Sequence, residues 1–442
     1  MSDSKIERAR DFLLSDSKLE IINWEENDEG NWFNHIYNKM FKDETKEFKD
    51  IILYTKKAID ELYIKYFSTV PTYTEHYMTH SRNVINIALK FLEFIPNEID
   101  EEDVLLIALA GLLHDLGQYD PVLSYQPRND PEKTEEALKD IFNDIDRIIS
   151  NGNYPEKYKI LFNKDSVFRK KVFLFALYHQ KNMPFDEDYI TKYYDIKKVE
   201  LKNITLSCRL DREKIFAKYE SSEALKNHYL GLAALFQLAD GLDIQKFRET
   251  TLYSISTRIA SVIKESKRYL LNNNDSDFKK NDSDFKKSIT QISHLIKDLL
   301  IDRIEIKETD KGTKRIIMNL YKDQSKQEAK NMLENIKNSI IPNVYHEHKK
   351  CSDVIYKIII NYLLNQNDDL IKSLKSILNN SNCNSLNVSD VDENNFFNSL
   401  IENYIKNPLN EELLLTKNYI EEYLGLKIEK IDMVWEDLCS SL

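Results

Sequence analysis

The chain has 442 residues, 42% of them hydrophobic, which is enough length for two or three domains and enough apolar material for a substantial core. Its 8 glycines and 9 prolines are too few for a turn-rich β protein, and its formal net charge of −12 disfavours unspecific binding along nucleic acids. We therefore predict a mainly α-helical globular protein that does not bind extended nucleic acid.

Cysteine usage and the lack of hydrophobic targeting segments indicate a cytoplasmic protein. The N-terminal segment has no apolar run flanked by basic residues, and no stretch reaches the roughly 18 uncharged apolar residues of a membrane span. The thiols are widely spaced without a CxxC pair, which is typical of reduced cysteines and not of a disulfide framework or a zinc knuckle. These thiols are Cys208, Cys351, Cys383 and Cys439.

The first predicted elements are helices on either side of a boundary at Pro71. Apolar side chains follow a period of 3.6 residues over 47–67, and a second helix is predicted over 81–94. His80 lies one turn before Val84, on the apolar side of that helix. A histidine in such a position is usually a satisfied core residue, so a ligand role for His80 needs support from elsewhere in the chain.

The central feature of the sequence is 108–119, ALAGLLHDLGQY, where an apolar run brings the adjacent residues His114 and Asp115 to the end of a predicted buried helix. An imidazole and an ionised carboxylate are costly to bury unless something compensates them. A divalent metal ion would compensate both groups. A further buried helix is predicted over 170–179, and it ends at His179.

A last apolar helix, predicted over 229–247, carries Asp240 into the interior, and Asp243 follows one turn later. Aspartates are seldom buried without a partner, which favours a ligand role for Asp240. Because Gly241 comes next, Asp240 could instead be the N-cap of a new helix. Both interpretations stay open at this point.

In the C-terminal half, the sequence predicts helices and one β-hairpin. Alternating apolar residues on both sides of a turn at 310–312 predict a β-hairpin over 303–321, which we expect to be the only regular sheet. The segment 352–442 predicts a helical module. The predicted domains are an N-terminal helical region, a central helical domain, a segment with linker, hairpin and helix, and a C-terminal helical module, at 1–70, 71–260, 261–350 and 351–442.

Packing the apolar helices would bring together four polar residues at their ends, namely His80, His114, Asp115 and Asp240. Two imidazoles and two carboxylates suit an octahedral divalent ion such as Mn²⁺, Fe²⁺, Co²⁺ or Ni²⁺, with Mg²⁺ as a further candidate. The set contains no thiolate, which argues against a structural zinc ion. A purely structural role would instead require His114 and Asp115 to be exposed.

The segments THSRNV, LLHDLGQ and LADGLD form an H…HD…D pattern that resembles the HD superfamily of metal-dependent phosphohydrolases, over 71–260. The resemblance implies an HD-domain helical bundle, with flanking helices and the small β-hairpin outside it. It implies that a metal-activated water cleaves a phosphoester or phosphoanhydride bond of a nucleotide or related compound. It also implies that His80, His114, Asp115 and Asp240 are the metal ligands.

A finer resemblance concerns ALYHQKNMP and LADGLD, which look like the helical domain attached to exopolyphosphatases and guanosine-pentaphosphatases. They also look like HD modules of bacterial defence and signalling systems. The actin-like domain of the polyphosphatases, with its glycine-rich phosphate loops, has no visible counterpart in this chain. We therefore do not expect polyphosphate activity.

The resemblance also bears on the number of metal ions. Binuclear members of the superfamily add histidines between the HD pair and the final aspartate, whereas this chain offers only His179 and His228 there. We expect one metal ion; Asp115 would orient the water molecule, and its alternative is to bridge to a second metal ion. His179 would support the ligands or act as general acid, and its alternative is a helix-terminal residue bonded to the backbone.

Two functions from different classes follow from these predictions. The first is an enzyme that acts on a small phosphorylated substrate. The second is a non-catalytic module that senses a nucleotide and relays its binding to a partner protein through the C-terminal helices, for which a second copy of the chain is also a candidate.

Overall fold

A computed structural model describes ten segments of the chain, at 46–66, 78–92, 94–95, 99, 101–115, 131–163, 166–179, 222–243, 301–321 and 401–436. All four cysteines and the end of the helix predicted over 229–247 lie outside these residues. The predicted domain boundaries stay predictions.

The described residues are mainly α-helical, as the sequence predicts, and a small sheet accompanies the helices. A π-helical turn, Glu402–Lys406, leads directly into the last helix. The helices are α1 (Lys46–Tyr66), α2 (Met78–Leu92), α3 (Glu101–Leu113), α4 (Pro131–Asn151), α5 (Glu156–Leu161), α6 (Val167–Tyr178), α7 (Ser222–Leu242) and α8 (Asn407–Leu424). The strands are β1 (Ile301–Glu308), β2 (Lys314–Tyr321) and β3 (Ile428–Glu436).

Helix α3 forms the centre of the bundle, because its sequence is apolar on every side. Each residue of the run 105–115 is buried, and α3 contacts α1, α2, α6 and α7. A helix that is hydrophobic all round is stable only when other helices surround it. The position of α3 therefore fixes where its last residues, His114 and Asp115, meet the neighbouring helices.

Helices α2 and α3 approach each other closely at Gly111. A methyl group at this position would lie 2.9 Å from Cδ1 of Ile85 and closer still to Cγ1. The absence of a side chain on Gly111 therefore lets the two helices that carry His80 and His114 come together at this level.

The predicted hairpin is present as β1 and β2, which pair antiparallel around Gly312, a residue with φ of 73°. The sheet has a third strand that the sequence analysis did not predict, because β3 pairs parallel with β2. The expectations of an isolated hairpin and of a wholly helical C-terminal module are therefore wrong for β3. The register shifts between Lys314 and Ile316, so that buried Ile428 and Ile431 stand three residues apart and hide the strand period of two.

Helix α8 ends at Gly425, which has the left-handed conformation typical of a helix C-terminus, with φ of 69°. The helix lies antiparallel against α7, since Leu424 at the end of α8 contacts Gly231 at the middle of α7, and the earlier Glu412 contacts Gly241 near the end of α7. The C-terminal segment is therefore packed along the helix that carries Asp240.

None of the described helices combines the length and the apolar character that crossing a bilayer requires.

Candidate metal centre

The sequence-predicted residues meet where α2 begins and where α3 and α7 end. His80 lies in the first turn of α2, His114 and Asp115 directly follow α3, and Asp240 lies in the last turn of α7. His80, His114 and Asp115 are buried, at 1%, 2% and 5% exposure, whereas the side chain of Asp240 is 20% exposed. A purely structural role with His114 and Asp115 at the surface is thus excluded.

The Nε2 atom of His80 is the geometric centre of the group. It lies 3.0 Å from Oδ1 of Asp240, 3.1 Å from Oδ2 of Asp115 and 3.1 Å from Nε2 of His114. The Nε2 atom of His114 lies 3.4 Å from Oδ1 of Asp240 and 3.5 Å from Oδ2 of Asp115. Potential ligand atoms of His80, His114 and Asp240 all lie within 4.8 Å of one another.

The hydrogen bonds of the two imidazoles determine which nitrogen of each ring carries a proton. Nδ1 of His114 lies 2.9 Å from the carbonyl oxygen of Gly111, which only accepts, so this nitrogen must donate. Nδ1 of His80 lies 2.6 Å from Oδ2 of Asp243, a carboxylate that is likewise the acceptor. In the neutral rings both Nε2 atoms therefore present lone pairs to each other and to two carboxylates.

Such a set of acceptors fits a cation. An ion bound about 2.1 Å from each ligand separates neighbouring ligand atoms by about 3.0 Å in an octahedron and about 3.4 Å in a tetrahedron. The separations here, between 3.0 and 3.5 Å, fall in that range. His80, His114 and Asp240 could hold one divalent ion, and Oδ2 of Asp115 lies within 3.5 Å of both imidazoles.

Asp240 is ionised in this setting. Burial raises the pKa of the carboxyl group, but when the imidazoles of His114 and His80 are protonated, their hydrogen bonds and charges outweigh burial and hold the pKa well below its usual range. Because Asp240 lies within α7, which continues to Leu242, it is not the N-cap that the sequence left open. Its exposure makes it the most accessible of the four predicted ligands.

Asp243 is a functional residue that the sequence analysis did not assign. Its side chain is fully buried and accepts the hydrogen bond from Nδ1 of His80. A carboxylate on the far nitrogen of a ligating histidine orients the ring and increases its basicity. The signal for this role was present in LADGLD, because a spacing of three residues places Asp243 on the same face of α7 as Asp240.

His179 caps the C-terminus of α6. It makes one contact that fits a helix-terminal residue bonded to the backbone and another that fits a residue of the metal centre. Its Nδ1 donates a hydrogen bond to the carbonyl oxygen of Ala176, which is the backbone contact of a helix-terminal residue. Its Nε2 lies 3.6 Å from Oδ1 of Asp115, and its ring meets that of His114 edge-on at 4.9 Å. His179 therefore belongs to the same group of side chains.

The pKa of His179 is raised in the protein without metal. Burial alone lowers the pKa, but the carboxylates of Asp115 and Asp240 favour the protonated ring and determine the net direction. A cation held by the same carboxylates would instead lower the pKa of His179.

Helix orientation also favours a cation at this point. Helices α3, α6 and α7 all end here, with His114 after α3, His179 after α6 and Asp240 in the last turn of α7. The C-terminus of a helix carries partial negative charge from its aligned peptide dipoles. Three such ends add to the negative potential of the two carboxylates.

Comparison with known proteins gives one match. The family model of the HD domain matches residues 77–213, a region that contains His80, His114, Asp115 and His179 and ends before Asp240. This stretch is therefore similar to the HD domain, which is all-helical and typically a metal-dependent phosphohydrolase. No curated protein and no solved structure matched the chain.

Proposed function

We propose that the protein is a metal-dependent phosphohydrolase that cleaves a phosphoester or phosphoanhydride bond of a nucleotide or a related compound. The observation that carries this proposal is the convergence of two imidazole lone pairs, 3.1 Å apart, with two carboxylates that each lie 3.0 to 3.5 Å from both rings. The HD domain match supports the same class of reaction.

The donor set suits one divalent ion, for which Mn²⁺, Fe²⁺, Co²⁺, Ni²⁺ and Mg²⁺ are the candidates. When bound, such an ion lowers the pKa of a neighbouring water molecule and polarises a phosphoryl oxygen. The residues that would hold it are His80, His114, Asp115 and Asp240.

Asp115 and His179 are the proposed catalytic residues. Oδ2 of Asp115 faces the two Nε2 atoms of His80 and His114, while Oδ1 points towards His179. We assign Oδ2 to the ion and Oδ1 to orienting the attacking water molecule. Since Nδ1 of His179 is bonded to Ala176, Nε2 is the nitrogen that can pass a proton to the leaving group.

Substrate would approach from the side of Asp240, whose side chain is the most exposed of the four predicted ligands at 20%. A small phosphorylated compound suits this arrangement, since an ion held in a pocket can bind a phosphoryl oxygen although the chain as a whole carries a net charge of −12. The likeness to the helical domain of exopolyphosphatases and to HD modules of defence and signalling systems remains part of this proposal, as does a cytoplasmic location.

The test is a metal-by-substrate screen of the purified full chain. Elemental analysis identifies the bound ion, and phosphate release is measured for nucleoside triphosphates, cyclic nucleotides, alarmones and nucleoside monophosphates with each candidate metal. Asp115→Ala is expected to lose both metal and turnover, whereas Asp140→Ala, at an exposed position of α4, is expected to keep both. Equal turnover by Asp115→Ala and the unmodified protein would refute the proposal.

The packing of α8 along α7 favours a second candidate function. In this alternative the pocket senses a nucleotide without cleaving it, and α8 relays the bound state to a partner protein or to a second copy of the chain. The screen separates the two candidates, since the sensor predicts tight nucleotide binding with no turnover under any metal.

A further inference from the structure

Helix α8, which packs on α7, carries a stripe of buried residues that contains one carboxylate. Spacings of three and four residues place this stripe on one face of α8, as expected for a helix lying on another helix. All but Glu412 and Thr416 are apolar, and Thr416 donates to the carbonyl oxygen of Glu412 at 2.8 Å. The members of the stripe are Leu409, Glu412, Leu413, Thr416, Ile420 and Leu424.

Two glycines of α7 receive residues of this stripe. At Gly231, far from the metal centre, the neighbour is Leu424, and a methyl group on the glycine would lie 2.7 Å from its Cγ. At Gly241, beside the metal centre, the neighbour is Glu412, and a methyl group would lie 2.6 Å from its Cδ. The same packing arrangement thus uses an apolar side chain at the middle of α7 and a carboxylate at its C-terminal end.

Burying a carboxylate in a helix contact costs free energy. An apolar leucine makes the corresponding contact at Gly231 on the same pair of helices. Glu412 is only 3% exposed. Its carboxylate meets the backbone of α7 directly after Asp240 and two residues before Asp243, the carboxylate that orients His80. A displacement of α7 at Gly241 would therefore move both aspartates at once.

We propose that Glu412 is a positioning residue of the metal centre. Its carboxylate holds α7 at Gly241 and thereby sets the positions of Asp240 and Asp243. The C-terminal helix is then a structural part of the centre, although the H…HD…D pattern ends before residue 244. This inference rests on the proposed metal-binding function, and it adds a residue that the sequence pattern does not contain.

The first experiment measures the Mn²⁺ dissociation constant of the full chain by calorimetry, with unfolding temperatures recorded in the presence of a chelator. Glu412→Ala is expected to raise the dissociation constant about tenfold, the loss typical of removing a group that supports a metal ligand. Glu412→Gln, which keeps the shape, is expected to stay close to the unmodified protein. Glu411→Ala is the matched control, because the neighbouring Glu411 is exposed on the same helix.

Two outcomes would overturn the inference. An unchanged dissociation constant in Glu412→Ala, with only a lower unfolding temperature, would mean that the residue is merely structural. Equal weakening by Glu412→Gln and Glu412→Ala would mean that its charge, and not its placement of α7, matters.

A second experiment tests the contact without relying on metal. Gly241→Ala is expected to displace the Glu412 carboxylate and lower the unfolding temperature, and to do so much less when combined with Glu412→Ala. Additive effects of the two substitutions would overturn the inference. If the unmodified protein binds none of the candidate metals, the proposed function fails, and this cycle still reports whether Glu412 determines the placement of α7.

Discussion

Nδ1 of His80 donates a 2.6 Å hydrogen bond to Oδ2 of Asp243, a carboxylate that solvent does not reach. The two residues are 163 positions apart in the sequence, and His80 lies in α2 while Asp243 directly follows α7, so this bond links two helices at the proposed metal centre. It also fixes the ring so that Nε2 faces His114, Asp115 and Asp240. The orientation of His80 is therefore determined before any ion is bound.

Removing this bond is expected to weaken metal binding. Asp243→Ala leaves Nδ1 of His80 without its acceptor, so the Mn²⁺ dissociation constant should rise about 10- to 100-fold. Asp243→Asn keeps an acceptor oxygen but no charge, and should give an intermediate loss. Calorimetric titration measures both variants, with Asp140→Asn at an exposed position as control. Identical affinities for Asp243→Ala and the control would show that the bond does not orient a ligand.

The close approach of α2 and α3 leads to a prediction for Gly111. Gly111→Ala places a methyl group against Ile85 and should lower the free energy of unfolding by about 1–3 kcal/mol, as overpacking does in a dense core. It should also weaken Mn²⁺ binding, because His80 and His114 lie on the two helices that are forced apart. Urea denaturation and metal titration are the measurements.

The double variant Gly111→Ala with Ile85→Ala is the control for this contact. Ile85→Ala alone leaves a cavity, and the new methyl group fills part of it, so the double variant should lose less stability than the sum of the single losses. Strict additivity would contradict the proposed contact between Gly111 and Ile85.

Much of the site could be predicted because each polar residue lies at one end of an apolar helix. The apolar runs before His114 and Asp240 must be buried, so the two side chains are drawn into the interior. They come close together once the helices pack. The spacing in LADGLD puts Asp240 and Asp243 on one face, but it does not say which of them faces the ion and which supports His80. That choice depends on where α2 lies.

The fold was less predictable in the C-terminal part, for two physical reasons. The bulge in β3 replaces the strand period of two by a spacing of three between Ile428 and Ile431, which resembles a helix. The contact of α8 with α7 depends on Gly231 and Gly241, and a glycine in a sequence gives no indication of which distant side chain will occupy the space beside it.

A buried polar cluster at the opposite end of the bundle provides a prediction about stability alone. Nζ of Lys171 lies 2.5 Å from Oε1 of Glu102 and 2.8 Å from Oη of Tyr229. Glu102 is 12 residues before His114 on the same chain segment, which is about 18 Å at a helical rise of 1.5 Å per residue. The cluster is therefore too distant to contact the metal centre.

Lys171→Ala should lower the free energy of unfolding by about 3 kcal/mol, because it leaves the Glu102 carboxylate without its main partner in a largely buried position. Adding Glu102→Gln should recover much of this loss, since no unpaired charge then remains. The Mn²⁺ affinity of both variants should equal that of the unmodified protein. A change in metal affinity would show that this cluster is coupled to the centre.

His179 allows its two contacts to be separated by substitution. The amide nitrogen of an asparagine can take the place of Nδ1 and donate to the carbonyl oxygen of Ala176, but nothing in asparagine replaces Nε2. If Nε2 passes a proton to the leaving group, His179→Asn should reduce kcat by about 10²- to 10⁴-fold, the usual contribution of general acid–base catalysis. Its unfolding temperature and Mn²⁺ affinity should stay near those of the unmodified protein.

His179→Ala loses both contacts and should reduce stability as well as turnover. If His179 only terminates α6, His179→Asn will turn over substrate at the unmodified rate, and the comparison of the two variants by steady-state kinetics and thermal unfolding decides between these roles.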